Sequence, residues 1–286
     1  MNDKLTIGIA TYEDYDGLFF TIQSLRMHHA DAMKDVEFVV IDNNPDSACG
    51  EASRNFLKSI REPAKYIPFS DYKSPFLKGQ IFHFAETKYV LVMDSHILMM
   101  PNSIKKLIEF FRQERDEGNL LHGPLIYDDL DNISTHFENT WRGQMWGVWG
   151  TDERGRNENN PPFEIEMQGM GLFACRKFSW PKFNPNFRGF GGEEGYIHRK
   201  FKAAGKKTLC LPFLRWMHRF NRPNGVPYPL ALKDRIMNYF IGHIELGLDC
   251  APIFEHFKQW ESEENLKNMH QDAARMIDND FLKFSI

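Results

Sequence analysis

The chain has 286 residues, 42% of them hydrophobic and 26% charged, and a net charge of −4. These values exclude a disordered or fibrous chain and fit one large globular domain, with room for a C-terminal addition. The slightly acidic balance argues against a partner held by bulk positive charge, such as non-specific nucleic acid, while leaving a local basic groove open.

Leu5–Ala10 is apolar and β-prone, a first strand, and Leu18–His29 follows as an amphipathic helix with Leu18, Ile22 and Leu25 at helical spacing. Val36–Ile41 is the next strand, ended by the turn Asp42-Asn43-Asn44-Pro45, and a helix runs through Phe56 and Ile60. Ala64–Pro68 is a short strand, Pro75–Thr87 a helix, Lys88–Met93 a buried strand, Ser103–Gln113 a helix and Leu120–Tyr127 a strand. This alternation predicts an α/β fold with a mostly parallel sheet and helices on both faces.

Residues 128–168 change character, with acidic turns, aromatics and the polar run Thr151–Pro162, which has the composition of a mobile loop. Gly169–Cys175 returns to strand, Glu194–Ala204 is a helix ended by Gly205, and Lys207–Pro212 is a short strand. From Pro229 onward the chain is helical and polar. The expected division is one domain over 1–225, with a change of character between 1–127 and 128–225, and a helical C-terminal extension over 226–286.

Cys49, Cys175, Cys210 and Cys250 are scattered with no CxxC pair, which fits reduced thiols rather than a zinc site or a disulfide framework. No secretory leader pattern and no membrane-spanning apolar run is present, so a soluble cytoplasmic protein without membrane contact is expected.

Four constellations carry candidate chemistry. Asp94-Ser95-His96 closes a central strand at the sheet edge where α/β proteins bind ligands. If the strand continues, residues i and i+2 share a face, and carboxylate and imidazole meet one Mn²⁺, Mg²⁺ or Zn²⁺; otherwise the acid is a turn cap. Gly189-Phe190-Gly191-Gly192-Glu193-Glu194 opens a helix with two acids, which act as a general base and acceptor ligand or simply cap the helix. Arg215–Arg222 sets His218 among arginines, a third metal ligand with phosphate contacts or a solvated loop. Thr11-Tyr12-Glu13-Asp14 and Asp42 follow the first two strands, where a base and ribose lie or where turns need such residues. Trp141, Trp146 and Trp149 pack in a core or stack on a sugar or base. Arg142, Arg176, Lys177, Arg188, Arg199 and Arg219 recur through the second half and supply positive charge of the kind that meets phosphate.

In this order the motifs resemble a GT-A-fold (Rossmann-like) nucleotide-sugar glycosyltransferase over Leu5 to Arg222. Asp94-Ser95-His96 is similar to the metal motif of polypeptide N-acetylgalactosaminyltransferases. Gly191-Gly192-Glu193-Glu194 is similar to their Gly-Gly-Glu-Asn segment and to the Gly-Gly-Glu-Asp segment of β-1,4-galactosyltransferases. The resemblance implies a nucleotide-sugar donor, a UDP-sugar first, held through Mn²⁺ (or Mg²⁺) on Asp94, His96 and His218. It implies donor contacts from Thr11, Tyr12, Glu13, Asp42, Lys78, Asp94, Arg219 and Arg222, and acceptor contacts from Trp146, Gly191, Gly192 and Glu193. In an inverting reaction Glu194 is the base; in a retaining one Glu193 orients hydroxyls. The polar run at 151–162 is a candidate lid. The resembling families carry a membrane anchor, and one a lectin domain, that this sequence does not display, so the acceptor need not be theirs: a glycan, a protein or a modified DNA base. Two other readings stand beside it, a nucleotidyltransferase and a non-catalytic binding module. The first ordinarily needs a Gly-rich loop where this chain has Thr11-Tyr12-Glu13-Asp14-Tyr15-Asp16.

Overall fold

A computed structural model describes residues 2–221, 225 and 230–284, with side chains at all of these except 2, 75, 194 and 279–284. Arg222 and the Glu194 side chain therefore lie outside the described residues.

The first half alternates as its periodicity dictates: β1 (Asn2–Thr11), α1 (Tyr15–His28), β2 (Val36–Asp42), α2 (Ala48–Ser59), β3 (Ala64–Pro68), α3 (Lys78–Phe84), β4 (Thr87–Asp94), β5 (Ile97–Met99) and α4 (Ser103–Arg112). The middle is β-rich: β6 (Leu120–His122), β7 (Leu125–Ile126), β8 (Ile133–Ser134), β9 (His136–Arg142), β10 (Met145–Gly150), β11 (Phe163–Glu164) and β12 (Leu172–Arg176). Then come α5 (Glu193–Ala203), β13 (Thr208–Cys210), β14 (Trp216–His218), α6 (Leu232–Glu245), α7 (Ala251–Phe257) and α8 (Glu263–Phe284).

Eight strands form the main sheet in the order β11-β13-β6-β12-β4-β1-β2-β3. Four of its pairings are parallel, and β12 runs antiparallel to both neighbours, as β11 does to β13. The central strand β4 is buried on both faces. Leu91 and Met93 join one cluster with Leu18 and Ile22 of α1, while Val90 and Val92 join another with Ile81, Phe201 and Phe240. The C-terminal helices share this second cluster through fully buried Phe240, Phe257 and Leu266, each burial favouring the fold by about 1.5–3 kcal/mol.

Four local expectations are corrected. Leu120–Tyr127 is two strands in two sheets, because Pro124 lacks a ladder N–H and the backbone of Gly123 passes against Leu214, where no Cβ fits. Asp94 and His96 do not share a strand face: β4 ends at Asp94, and Ser95-His96 is a turn into β5. His218 sits not in a loop but in β14, whose register sets it opposite Ile97. The polar run 151–162 is not free of outside contacts: Arg215 donates to the Gly155 carbonyl at 3.0 Å and to that of Arg156, and Lys106 pairs with Glu158 at 3.1 Å.

Candidate functional site

Two sheets meet at the end of β4 and bring three separate segments together. The antiparallel β5–β14 pair starts directly after the Ser95-His96 turn, and the Arg219 N–H donates to the His96 carbonyl at 3.2 Å. Thr21 of α1 fixes the turn from below: its hydroxyl accepts the Ile97 N–H at 2.9 Å and lies 3.1 Å from the Ser95 carbonyl. The Asp94 N–H bonds the Gly171 carbonyl at 2.9 Å, and a Cβ at Gly171 would stand 3.1 Å from Asp94 Oδ2, so glycine leaves that oxygen clear.

Asp94, His96 and His218 converge, with one ligand atom from each all within 4.8 Å of one another. His218 Nε2 lies 3.0 Å from His96 Nε2 and 3.4 Å from Asp94 Oδ2. Cis ligands on an octahedral cation bound at about 2.1 Å are about 3.0 Å apart, so these spacings fit one hard divalent ion. Behind His96, Nδ1 is 2.6 Å from Asp14 Oδ2. A carboxylate only accepts, so Nδ1 carries the proton and Nε2 presents its lone pair to the cluster. Asp14 also accepts from the Ser95 hydroxyl at 2.8 Å, the Arg219 guanidinium at 3.1 Å and the Gly17 N–H at 3.3 Å, the last capping α1. His218 Nδ1 is buried with no hydrogen-bond partner, so nothing there fixes its tautomer.

The electrostatics keep one acid charged and press another toward neutrality. Burial alone would raise the Asp94 carboxyl. The Lys78 ammonium leads the opposing influences, with the His218 hydrogen bond and the two neighbouring imidazoles, and together they hold the group well below the usual carboxylate range. Lys78 Nζ is 2.6 Å from Asp94 Oδ1 and donates to the Met170 carbonyl at 2.9 Å. Glu193 is buried, with Oε2 unpartnered. Burial pushes its carboxyl up, its own backbone N–H and Lys78 oppose, and the Asp94 charge adds to the rise. Gly192, at φ 98°, makes the left-handed turn that starts α5 and packs on Asn238.

A cavity of about 40 Å³ joins Thr11, Tyr12, Lys78, Asp94 and His96, room for an ion or a water beside the cluster. Thr11 Oγ1 is buried there without a partner. Asn43 also lines it and bonds the 69–74 loop through the Phe69 and Tyr72 carbonyls and the Ser74 N–H. Asp42 points away: Tyr66 donates to Oδ2 at 2.8 Å and the Asn44 N–H to Oδ1 at 2.9 Å, and burial raises its carboxyl. Glu13 accepts from the Asn44 amide. Arg219 is half exposed on Asp14. Trp146, with Gly192, lines a separate cavity beside α5. Of the basic residues expected near an acceptor, Arg176 is paired with buried Asp116, Lys177 bonds the Ala85 carbonyl and Arg188 lies over Tyr72, so they do not form one open patch. Sequence reasoning missed Asp14 as the support of His96 and Gly171 as the clearance for Asp94.

A sequence profile described as glycosyl transferase family 2 matches residues 6–178, and the chain belongs to that family. Its GT-A fold is shared with a solved structure of GalNAc-T7 with UDP, GalNAc and Mn²⁺, at a TM-score of 0.69 and 16% identity over 95% of this chain and 54% of that one. The chain thus spans about half the length of that relative. The fold is widely shared, with 429 solved chains matching, so fold likeness alone selects no substrate. No curated protein matches the chain. Among the described residues, no helix is long and apolar enough to cross a membrane.

Proposed function

We propose that this family 2 chain is a divalent-metal-dependent glycosyltransferase moving a sugar from a nucleotide-sugar, a UDP-sugar first, to a hydroxyl acceptor. The observation that carries this is the convergence of Asp94, His96 and His218, with Asp14 orienting His96. Mn²⁺ and UDP in the GalNAc-T7 structure support the choice of ion and nucleotide. When bound on Asp94, His96 and His218, Mn²⁺ (or Mg²⁺) would offset charge on the departing diphosphate.

The chain's own residues do the rest. Thr11, Tyr12 and Glu13 border the donor side, and Asp42 holds the turn that presents Asn43. Lys78 pairs with Asp94 before donor arrives and is poised to meet phosphate oxygens. Arg219, and Arg222 from outside the described residues, add positive charge for the leaving group. Gly191 and Gly192 let an acceptor approach the start of α5, where Glu194 takes the acceptor proton in an inverting transfer and Glu193 orients hydroxyls. We assign donor binding to 1–127 and acceptor binding to 128–225, with 226–286 bracing the acceptor side. Four unpaired thiols fit a reducing, cytoplasmic setting. A nucleotidyltransferase is disfavoured by the Gly-free segment after β1.

The test is a donor screen with Mn²⁺ and with Mg²⁺ that measures free UDP, GDP and dTDP. Metal-dependent release of UDP from one UDP-sugar is expected. Pyrophosphate in place of a nucleoside diphosphate, or no release from metal-loaded protein, contradicts the proposal.

A further inference from the structure

A second cavity, of about 230 Å³, lies against the start of α5 and is walled by α6 and α7. Gly192 of the Gly-Gly-Glu-Glu turn and Gly195 just after it form one side, so the cavity abuts the backbone that carries Glu193 and Glu194. Most of its wall lies beyond residues 6–178, outside the span that matches the family profile. Pockets for drug-sized ligands run to about 300–1,000 Å³, so this one suits a single ring rather than a chain.

The lining is chemically specific. Trp146 and Tyr239 each meet Trp141 edge to face, at 77° and 78°, and one face of Trp141 is covered by His256 stacked at 3.9 Å. The rings make a corner, not the parallel slot that would sandwich a flat base. Three polar groups at its side keep spare hydrogen-bonding capacity. Arg199 has no hydrogen bond or ion pair among the described residues. His243 Nδ1 donates to the Tyr239 carbonyl at 2.9 Å, which leaves Nε2 as an acceptor. Asp249 Oδ1 takes the Ala251 N–H at 2.9 Å, leaving Oδ2. All three line this one cavity, and His243 lies within electrostatic reach of both Arg199 and Asp249. One donor and two acceptors beside aromatic carbon match a ring with apolar C–H faces and hydroxyls at its edge.

We infer that this cavity binds one pyranose ring of a glycan acceptor, with Trp146 against its C–H face and Arg199, His243 and Asp249 on its hydroxyls. The inference rests on the glycosyltransferase assignment and narrows its acceptor to a carbohydrate.

The experiment is saturation-transfer NMR on the intact chain with methyl glucoside, galactoside, mannoside and N-acetylglucosaminide, and with thymidine and deoxycytidine. Transfer to the ring protons of at least one pyranoside is expected. Its affinity should fall roughly tenfold or more in Arg199→Ala, as for loss of a charged hydrogen bond, and recover partly in Arg199→Lys. A thermal melt checks that both variants fold; if Arg199→Ala does not, Arg199→Lys and Arg199→Gln replace it. Silence from every pyranoside, unchanged binding in the folded variants, or transfer to the nucleosides alone overturns the inference. UDP release is read separately. UDP release with no pyranoside signal removes the subsite and leaves the transferase; a pyranoside signal with no release from any donor does the reverse.

Discussion

Asp14 and His96 are 82 positions apart, yet Asp14 Oδ2 and His96 Nδ1 stand 2.6 Å from each other. This contact ties the segment after β1 to the metal motif and decides which nitrogen of His96 faces the cluster. Asp14→Ala should weaken Mn²⁺ binding by about 10–100-fold, the usual effect of removing a carboxylate behind a ligating histidine. It also removes the α1 cap, lowering stability by roughly 0.5–2 kcal/mol. Calorimetric Mn²⁺ titration reads the first effect and denaturant melts the second; an unchanged affinity would show that the contact is merely structural.

Lys78 sits between two acids, 2.6 Å from Asp94 Oδ1 and close enough to influence Glu193. Lys78→Met takes the nearest positive charge from a partly exposed Asp94 that keeps His218 beside it, so in a metal-free protein it should cost less than the ~3–5 kcal/mol of a fully buried pair. Mn²⁺ then supplies the missing positive charge. The melting temperature in EDTA should drop, and Mn²⁺ should raise it by more than it raises the wild type. An equal Mn²⁺ shift in both proteins goes against a cation at Asp94.

The chemistry-bearing ends of the core strands were legible, and the links between distant segments were not. Val90–Met93 is an uninterrupted apolar run, so the position of Asp94 after it followed from periodicity alone. Gly191-Gly192-Glu193-Glu194 was legible because glycine followed by acids is a local helix-start signal. β14 has three residues, and its pairing with Ile97 is a tertiary event that no local pattern announces. Asp14 carried one unused signal, an acid directly before an apolar-periodic helix. The Gly123-Pro124 pair was a second, a break within what read as one strand.

Three histidines are held neutral by the fold. Burial lowers His29, His122 and His243 from the ordinary value of 6.5, His122 most, with help from neighbouring His198. The unfolded chain therefore binds more protons below that value, so stability is full above it and falls as pH drops through it. Denaturation midpoints should decrease between about pH 7.5 and about pH 5.5, and less so in His122→Asn, whose own midpoint is the reference. A rise on acidification over that range contradicts the neutral assignment.

Gly192 has φ 98°, and a Cβ there would lie 3.0 Å from that of Asn238. Gly192→Ala should cost about 1–3 kcal/mol through backbone strain. Because this turn leads directly into Glu193 at the start of α5, transfer should fall further than the lost folded fraction explains; a thermal melt and specific activity on the same sample compare the two.

Every donor-side role proposed for this chain depends on Asp94, His96 and His218 holding one cation against a nucleotide diphosphate. Calorimetry of UDP with and without Mn²⁺, in wild type and in His218→Ala, reads that dependence. One Mn²⁺ per wild-type chain is expected, with UDP affinity that rises at least about tenfold when Mn²⁺ is present and loss of that gain in His218→Ala. Equal UDP affinity in EDTA and in Mn²⁺, or an intact gain in His218→Ala, would mean that these three side chains do not hold the ion.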